Sequence, residues 1–222
     1  VFLAMLVSLY LVIRPEASSR SFLRTAAMGT QSSPFLLLSL SFIFEATSLD
    51  LVSSYVGEGL PLFYRISAVW GSRSGPLLMW ASMMSVIAWL MSRDRKTDAE
   101  TIRVMHFWTL LLLLISAGLR PFSPAIPGSA GEISPLLQTD LMVIHPPVVF
   151  VYYSLCLATA SIAVSGLIRS RPSNETHASM IPWARYSFLA GTIGIGLGGL
   201  WAYTVLDWGG YWAWDPVETG SL

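Results

Sequence analysis

Long apolar runs, separated by short polar stretches that carry arginine, set the pattern of the chain. A run of roughly 17–25 apolar residues is long enough to cross a bilayer as a helix. Six runs are read here, at 1–13, 34–52, 75–92, 104–119, 147–168 and 184–205. The first is short for a span, and a missing start is the expected reason. It does not read as a signal-peptide core, because no small-residue cleavage site precedes Arg14. The pattern predicts an all-α, polytopic transmembrane helix bundle over 1–203, followed by an outward-facing loop over 204–222.

The basic residues give the direction. Arg14, Arg20, Arg24, Arg93, Arg95, Lys96, Arg103, Arg169, Arg171 and Arg185 follow the first, third and fifth runs, whereas only Arg65, Arg73 and Arg120 follow the others. Positive charge accumulates on the cytoplasmic side of membrane proteins. This alternation places 14–33, 93–103 and 169–183 inside, and about 53–74, 120–146 and 206–222 outside. The expected location is a multi-pass position in a bacterial or archaeal cell membrane, or an organellar inner membrane.

Composition agrees with lipid as the solvent. The 222 residues are 54% hydrophobic and 12% charged, with a mean hydropathy of +0.60. Soluble domains carry roughly twice that charged fraction. A formal net charge of zero argues against a nucleic-acid partner. The single cysteine, Cys156, lies in an apolar run and is expected simply to pack. Glu45 falls in the second run, where a lone charge is costly; a position near the outer interface beside Asp50 would solvate it. "GTIGIGLGG" at 191–199 offers the small residues that let membrane helices approach closely.

The chain beginning "DWGGYWAWDPVE" at residue 207 holds four aromatic residues, Trp208, Tyr211, Trp212 and Trp214, within seven positions. Trp183, Trp201 and Tyr203 read as an ordinary interfacial belt, but a belt requires neither Gly209-Gly210 nor a Trp-Asp-Pro turn at 214–216. The glycines permit a close approach to a flat object or a sharp turn, and Pro216 discourages helix after Asp215. Sugars, nucleobases and porphyrins are flat enough to suit ring faces. Of the three histidines, His106 and His177 fall to the cytoplasmic side, and His145 alone falls outside, in "IHPP". There Pro146 and Pro147 suit a helix start, yet a helix cap prefers Ser, Thr, Asp or Asn. Imidazole is a standard axial ligand of haem iron, so His145 is read as a haem ligand.

"WGGYWAWDPVE" resembles the tryptophan-rich WWD signature of the haem-handling family that includes the CcmF, NrfE and CcsA proteins. Further stretches are similar to CcmF-type sequences in the same order: "LPLFYRISAVWGSRSGPLLMW" at 60–80, "PFSP" at 121–124, "SPLLQTD" at 134–140, "IHPPVVF" at 144–150 and "GIGLGGLWAYTVLDWGGYWAWDPVE" at 194–218. The resemblance covers the chain from about residue 34. It departs from the family pattern at Tyr211, where a second Trp is usual, at Arg73-Ser74, where His-Glu is usual, and at Thr219-Gly220-Ser221, where Asn-Ala-Ser is usual.

The resemblance implies cytochrome c-type biogenesis by a haem lyase, with haem (haem b as substrate) received on the outer face and joined through thioether bonds to apocytochrome c. It implies that His145 is an outer axial ligand. Trp208, Gly209, Gly210, Tyr211, Trp212, Trp214 and Asp215 would hold the haem. A haem chaperone of the CcmE type and a thiol-reducing partner of the CcmH type are the implied partners, besides membrane lipid. The family's second outer histidine and its membrane haem ligands lie beyond Leu222, so a fragment, or one part of a split protein with a separate chain for the C-terminal half, is expected. For the propionates, Arg65, Arg73 and Arg120 are the outward cations, and Arg65 is preferred because it lies inside a family-like motif. Two other readings compete. A glycosyl transferase of the oligosaccharyl-transferase type would also use an outward WWD loop, but Asp50, Glu58, Glu132 and Asp140 form no metal-ligand pattern. A passive transporter would place charge near the midplane, and only Glu45 hints at that.

Overall fold

The computed structural model describes residues 1–57, 59–94, 96–126, 128, 130–205, 212 and 219–220. Its elements are α1 (Phe2–Ile13), α2 (Ser21–Ile43), α3 (Asp50–Tyr55), α4 (Leu62–Gly71), α5 (Gly75–Met91), α6 (Ala99–Gly118), α7 (Asp140–Ile168) and α8 (Ser173–Val205), with short 3₁₀ turns at Pro15–Ser19 and Pro135–Leu137. Among the described residues there is no sheet, only an isolated bridge between Leu49 and Pro124. The protein is a helical membrane bundle.

Local chemistry sets several of these boundaries. Asp98 caps α6 by accepting from the Thr101 N–H at 2.9 Å, and Thr139 caps α7 by accepting from the Met142 N–H at 3.3 Å. Between α4 and α5 the chain bends by 90°. Ser72 Oγ donates to the Val69 carbonyl at 2.7 Å and accepts from the Gly75 N–H at 3.2 Å. A Cβ on Gly75 would lie 1.7 Å from that same carbonyl oxygen, so the corner requires glycine.

Helix α5 is the centre of the bundle, with α2, α4, α6 and α7 packed around it. Its buried residues include Leu78, Ala81, Met84, Ile87, Ala88 and Met91, which join one continuous apolar core with Leu38, Phe42, Met105, Leu113, Ala158 and Ile162. Helix α1 lies against α6 and α2, and α8 lies mainly on α7. Cys156 is a free thiol that meets Ser187 Oγ at 3.0 Å across the α7–α8 seam.

The helix limits differ from the apolar runs. Helices α6, α7 and α8 are long and apolar enough to cross a membrane, and the bent pair α4–α5 makes a fourth if it is one span. Six were expected. Helix α1 has 12 residues, and α2, although 23 residues long, opens with a polar half holding Arg24, Thr25, Thr30, Gln31 and Ser32. Helix α2 starts well before residue 34 and ends at Ile43, so Glu45 falls outside it, at φ +52°, in an ion pair with Arg65. Helices α7 and α8 begin at Asp140 and Ser173 rather than at 147 and 184, because Pro146, Pro147 and Pro182 are accommodated inside them.

The loops that the arginine count groups together also touch one another. At one end, Asp50 N–H donates to Ser123 O at 2.9 Å, Gly131 N–H to Ser53 O at 3.0 Å and Ile133 N–H to Tyr55 O at 3.1 Å. At the other, Arg24 donates to Ser92 O at 2.7 Å, and Asp98 receives Ser165 Oγ at 2.7 Å and Arg171 at 2.5 Å.

Candidate functional site

His145 occupies the second turn of α7, not its cap: Thr139 performs the capping, and Pro146-Pro147 continue the helix behind the histidine. The half-buried imidazole faces α8. Its Nδ1 lies 3.0 Å from the Gly194 carbonyl oxygen. A carbonyl only accepts, so Nδ1 carries the proton, and in the neutral ring the lone pair belongs to Nε2. Histidines that bind metal commonly donate their second ring N–H to a carbonyl or carboxylate in this way, which fixes the ring and raises ligand basicity. The ring of Trp201 meets the imidazole edge-on, with centroids 5.7 Å apart and planes at 65°.

The glycines of α8 make this approach possible. A Cβ on Gly191 would fall 2.9 Å from the Tyr152 ring, one on Gly194 3.4 Å from Val149, and one on Gly198 2.9 Å from His145 Cε1. Close helix packing is therefore the use of these glycines, and Gly198 in particular leaves room for the imidazole. Gly198→Ala should displace the ring from Gly194 O. The shift is expected as a changed His145 imidazole resonance by nuclear magnetic resonance; an unchanged resonance would show that the ring has room to spare.

The three arginines expected on the outer side separate into paired and unpaired. Arg65 forms an ion pair with Glu45 at 2.5 Å, and its Nε donates to Leu60 O at 2.6 Å. Arg73 pairs with Asp50 at 2.6 Å. The exposed Arg120, at φ +50°, has no ion pair or side-chain hydrogen bond among the described residues.

Trp208, Gly209, Gly210, Tyr211, Trp214 and Asp215 lie outside the described residues; Trp212 is described and is half-buried. His177 is exposed on α8. His106 is buried on α6, where its Nδ1 lies 3.1 Å from Gln31 Nε2, which also donates to Ser8 Oγ at 2.9 Å. No three His, Cys, Asp or Glu side chains among the described residues converge as a metal site would require. Gly194, Gly198 and Trp201 escaped the sequence reading as site residues. Their signal was present: spaced by four and three, they share one face of a helix.

Comparison with known proteins gives a consistent relationship. The family model described as "Cytochrome C assembly protein" matches residues 70–222. The chain is 32% identical over 197 residues to the cytochrome c-type biogenesis protein NrfE of Haemophilus influenzae, covering 84% of this chain and 31% of that protein. It is 32% identical over 220 residues to the cytochrome c-type biogenesis protein CcmF of Escherichia coli K12, covering 94% and 34% respectively. The chain thus spans about a third of the length of these relatives. A solved structure, the cytochrome c heme lyase CcmF, shares the fold with a TM-score of 0.76 at 22% identity, over 99% of this chain and 38% of that one. The glycosyl-transferase and transporter readings find no support in these relatives. With the match running from Trp70 through His145 and α8 to the aromatic stretch, the chain belongs to the cytochrome c assembly protein family.

Proposed function

We propose that this chain forms the haem-receiving part of a cytochrome c haem lyase, with His145 as an axial ligand on the outer face. The observation that carries the reading is the Nδ1–H donated to Gly194 O, which leaves Nε2 with its lone pair. A haem substrate would supply vinyl groups, to each of which a cysteine thiol of apocytochrome c adds, the sulfur bonding one vinyl carbon and a hydrogen the other. This chain's share is binding and orientation. His145 would hold the iron and Trp201 would stiffen the imidazole, while Trp208, Gly209, Gly210, Tyr211, Trp212, Trp214 and Asp215 would supply the aromatic surface for the porphyrin. Positioning of this kind contributes roughly 7–11 kcal/mol at its upper end.

Arg65 would have to release Glu45 to meet a propionate, so Arg120 is the outer cation available without breaking a contact. Apocytochrome c, a CcmE-type haem donor and a CcmH-type reductant are the proposed partners, and the remaining two thirds of the relatives' length, whether in the same chain or another, completes the enzyme. Visible absorption of the purified full-length protein tests the reading. A Soret band with low-spin features supports haem handling, and a colourless protein reconstituted with haem overturns it.

The proposed orientation has its own test. Cysteines placed at Lys96, Gly128 and Glu175 are expected to react with a membrane-impermeant thiol reagent only at position 128 in intact cells. Labelling at 96 or 175 would invert the bundle and move His145 to the other side.

A further inference from the structure

We infer that Trp70, on α4, is a positioning residue for His145. The reason lies in the two prolines that follow the histidine. A helical residue donates its N–H to the carbonyl four positions earlier, and proline has none to give. Pro146 therefore leaves the carbonyl of Met142 without its helix partner, and Pro147 does the same to Val143. These two carbonyls belong to the turn that carries His145, so the opening of α7 is tied to the rest of the helix by two fewer bonds than an uninterrupted turn. Away from water, an unmet carbonyl is costly. The Met142 carbonyl is met from outside the helix: Trp70 Nε1 donates to it at 2.7 Å.

The contact is held on both sides. Met142 is buried, and Gly71, next to Trp70, packs so closely that a Cβ there would lie 3.3 Å from Met142 Cε. Trp70 itself packs against the main core. Helix α4 is fixed to α5 by the 90° corner at Gly75, and Arg65 anchors its first turn to Leu60 O and Glu45. The indole thus transfers the rigidity of the central bundle to the turn bearing the imidazole, while Gly194 and Trp201 fix the ring from α8.

This inference rests on His145 being the haem ligand, and the test separates the two. In the full-length protein, Trp70→Phe keeps a ring and removes the N–H. Amides of 140–145 are expected to exchange about fivefold to tenfold faster in the haem-free protein, the scale of one lost hydrogen bond, and the low-spin haem signal by electron paramagnetic resonance should broaden or split. Adding Pro146→Ala returns a helix N–H to the Met142 carbonyl, so Trp70→Phe with Pro146→Ala should recover wild-type exchange and a single signal. Were Trp70→Phe too unstable to purify, the double variant is still expected to fold, and its failure to do so would overturn the assignment. Unchanged exchange and spectrum in Trp70→Phe, with haem lost in His145→Ala, would sink Trp70 and leave the ligand standing. An intact haem spectrum in His145→Ala would sink the ligand reading and this inference with it.

Discussion

His145→Ala in the full-length protein is expected to lose its outer haem and, with it, cytochrome c maturation. The loss in haem affinity should exceed the roughly 10–100-fold that follows removal of a supporting contact around a metal ligand, because the ligand itself goes. The ring sits between Gly194 O and Trp201, beside the space left by Gly198. Alanine empties that space without disturbing the cap at Thr139 or the core around α5. Free imidazole should therefore restore part of the Soret band and part of the activity. His177→Ala is the control: that side chain is exposed near the start of α8, and its loss should leave haem content unchanged. Wild-type haem content in His145→Ala would end the assignment.

The second large effect is expected at the opposite end. Asp98 caps α6 through Thr101 and receives Ser165 and Arg171, with Arg169 at 3.7 Å. Burial alone would raise its pKa, but the hydrogen bonds from Ser165, the Thr101 backbone and Arg171 outweigh it and bring the carboxyl from 3.8 down to about 2. A carboxyl depressed on folding stabilises the folded state above its unfolded pKa and loses that contribution as pH falls through the folded value. The clasp is thus complete at neutral pH and is lost between about 4 and about 2. Asp98→Ala should cost on the order of 3 kcal/mol by leaving Arg171 without its partner in a half-buried place. Asp98→Asn keeps a capping oxygen and should cost less. Thermal unfolding in detergent at pH 7 and at pH 3 checks both: the gap between wild type and Asp98→Ala should narrow at the lower pH, and a constant gap would assign the stability to packing instead.

The chain's arginines made its two ends readable before any coordinates: the loops they group together are the loops that hydrogen-bond to one another. Helix limits were harder to read, for a local reason. "IHPP" looks like a helix start because proline lacks an N–H and fits the first turn. Here the missing donor is replaced from another helix by Trp70, a long-range contact that no local pattern announces. Glu45 was likewise ambiguous inside an apolar run; its partner Arg65 lies twenty positions away, beyond helix α3. His145 stood out in the sequence because it is the one histidine on the side expected to face outward. Trp201 was not, since an aromatic near a membrane interface has an ordinary explanation.

The glycine seam between α7 and α8 has a consequence for how tightly iron would be held. The proton on Nδ1 is shared with a carbonyl that belongs to a different helix, so the electron density at Nε2 depends on the relative height of the two helices. A slide of α8 by one residue, about 1.5 Å, would carry Gly194 O out of reach and bring another side chain toward the imidazole in place of Gly198. On the proposed reading of His145 as a haem ligand, grip on the metal and alignment of the two helices are one variable, and a displacement of α8 along α7 would loosen the iron without touching it.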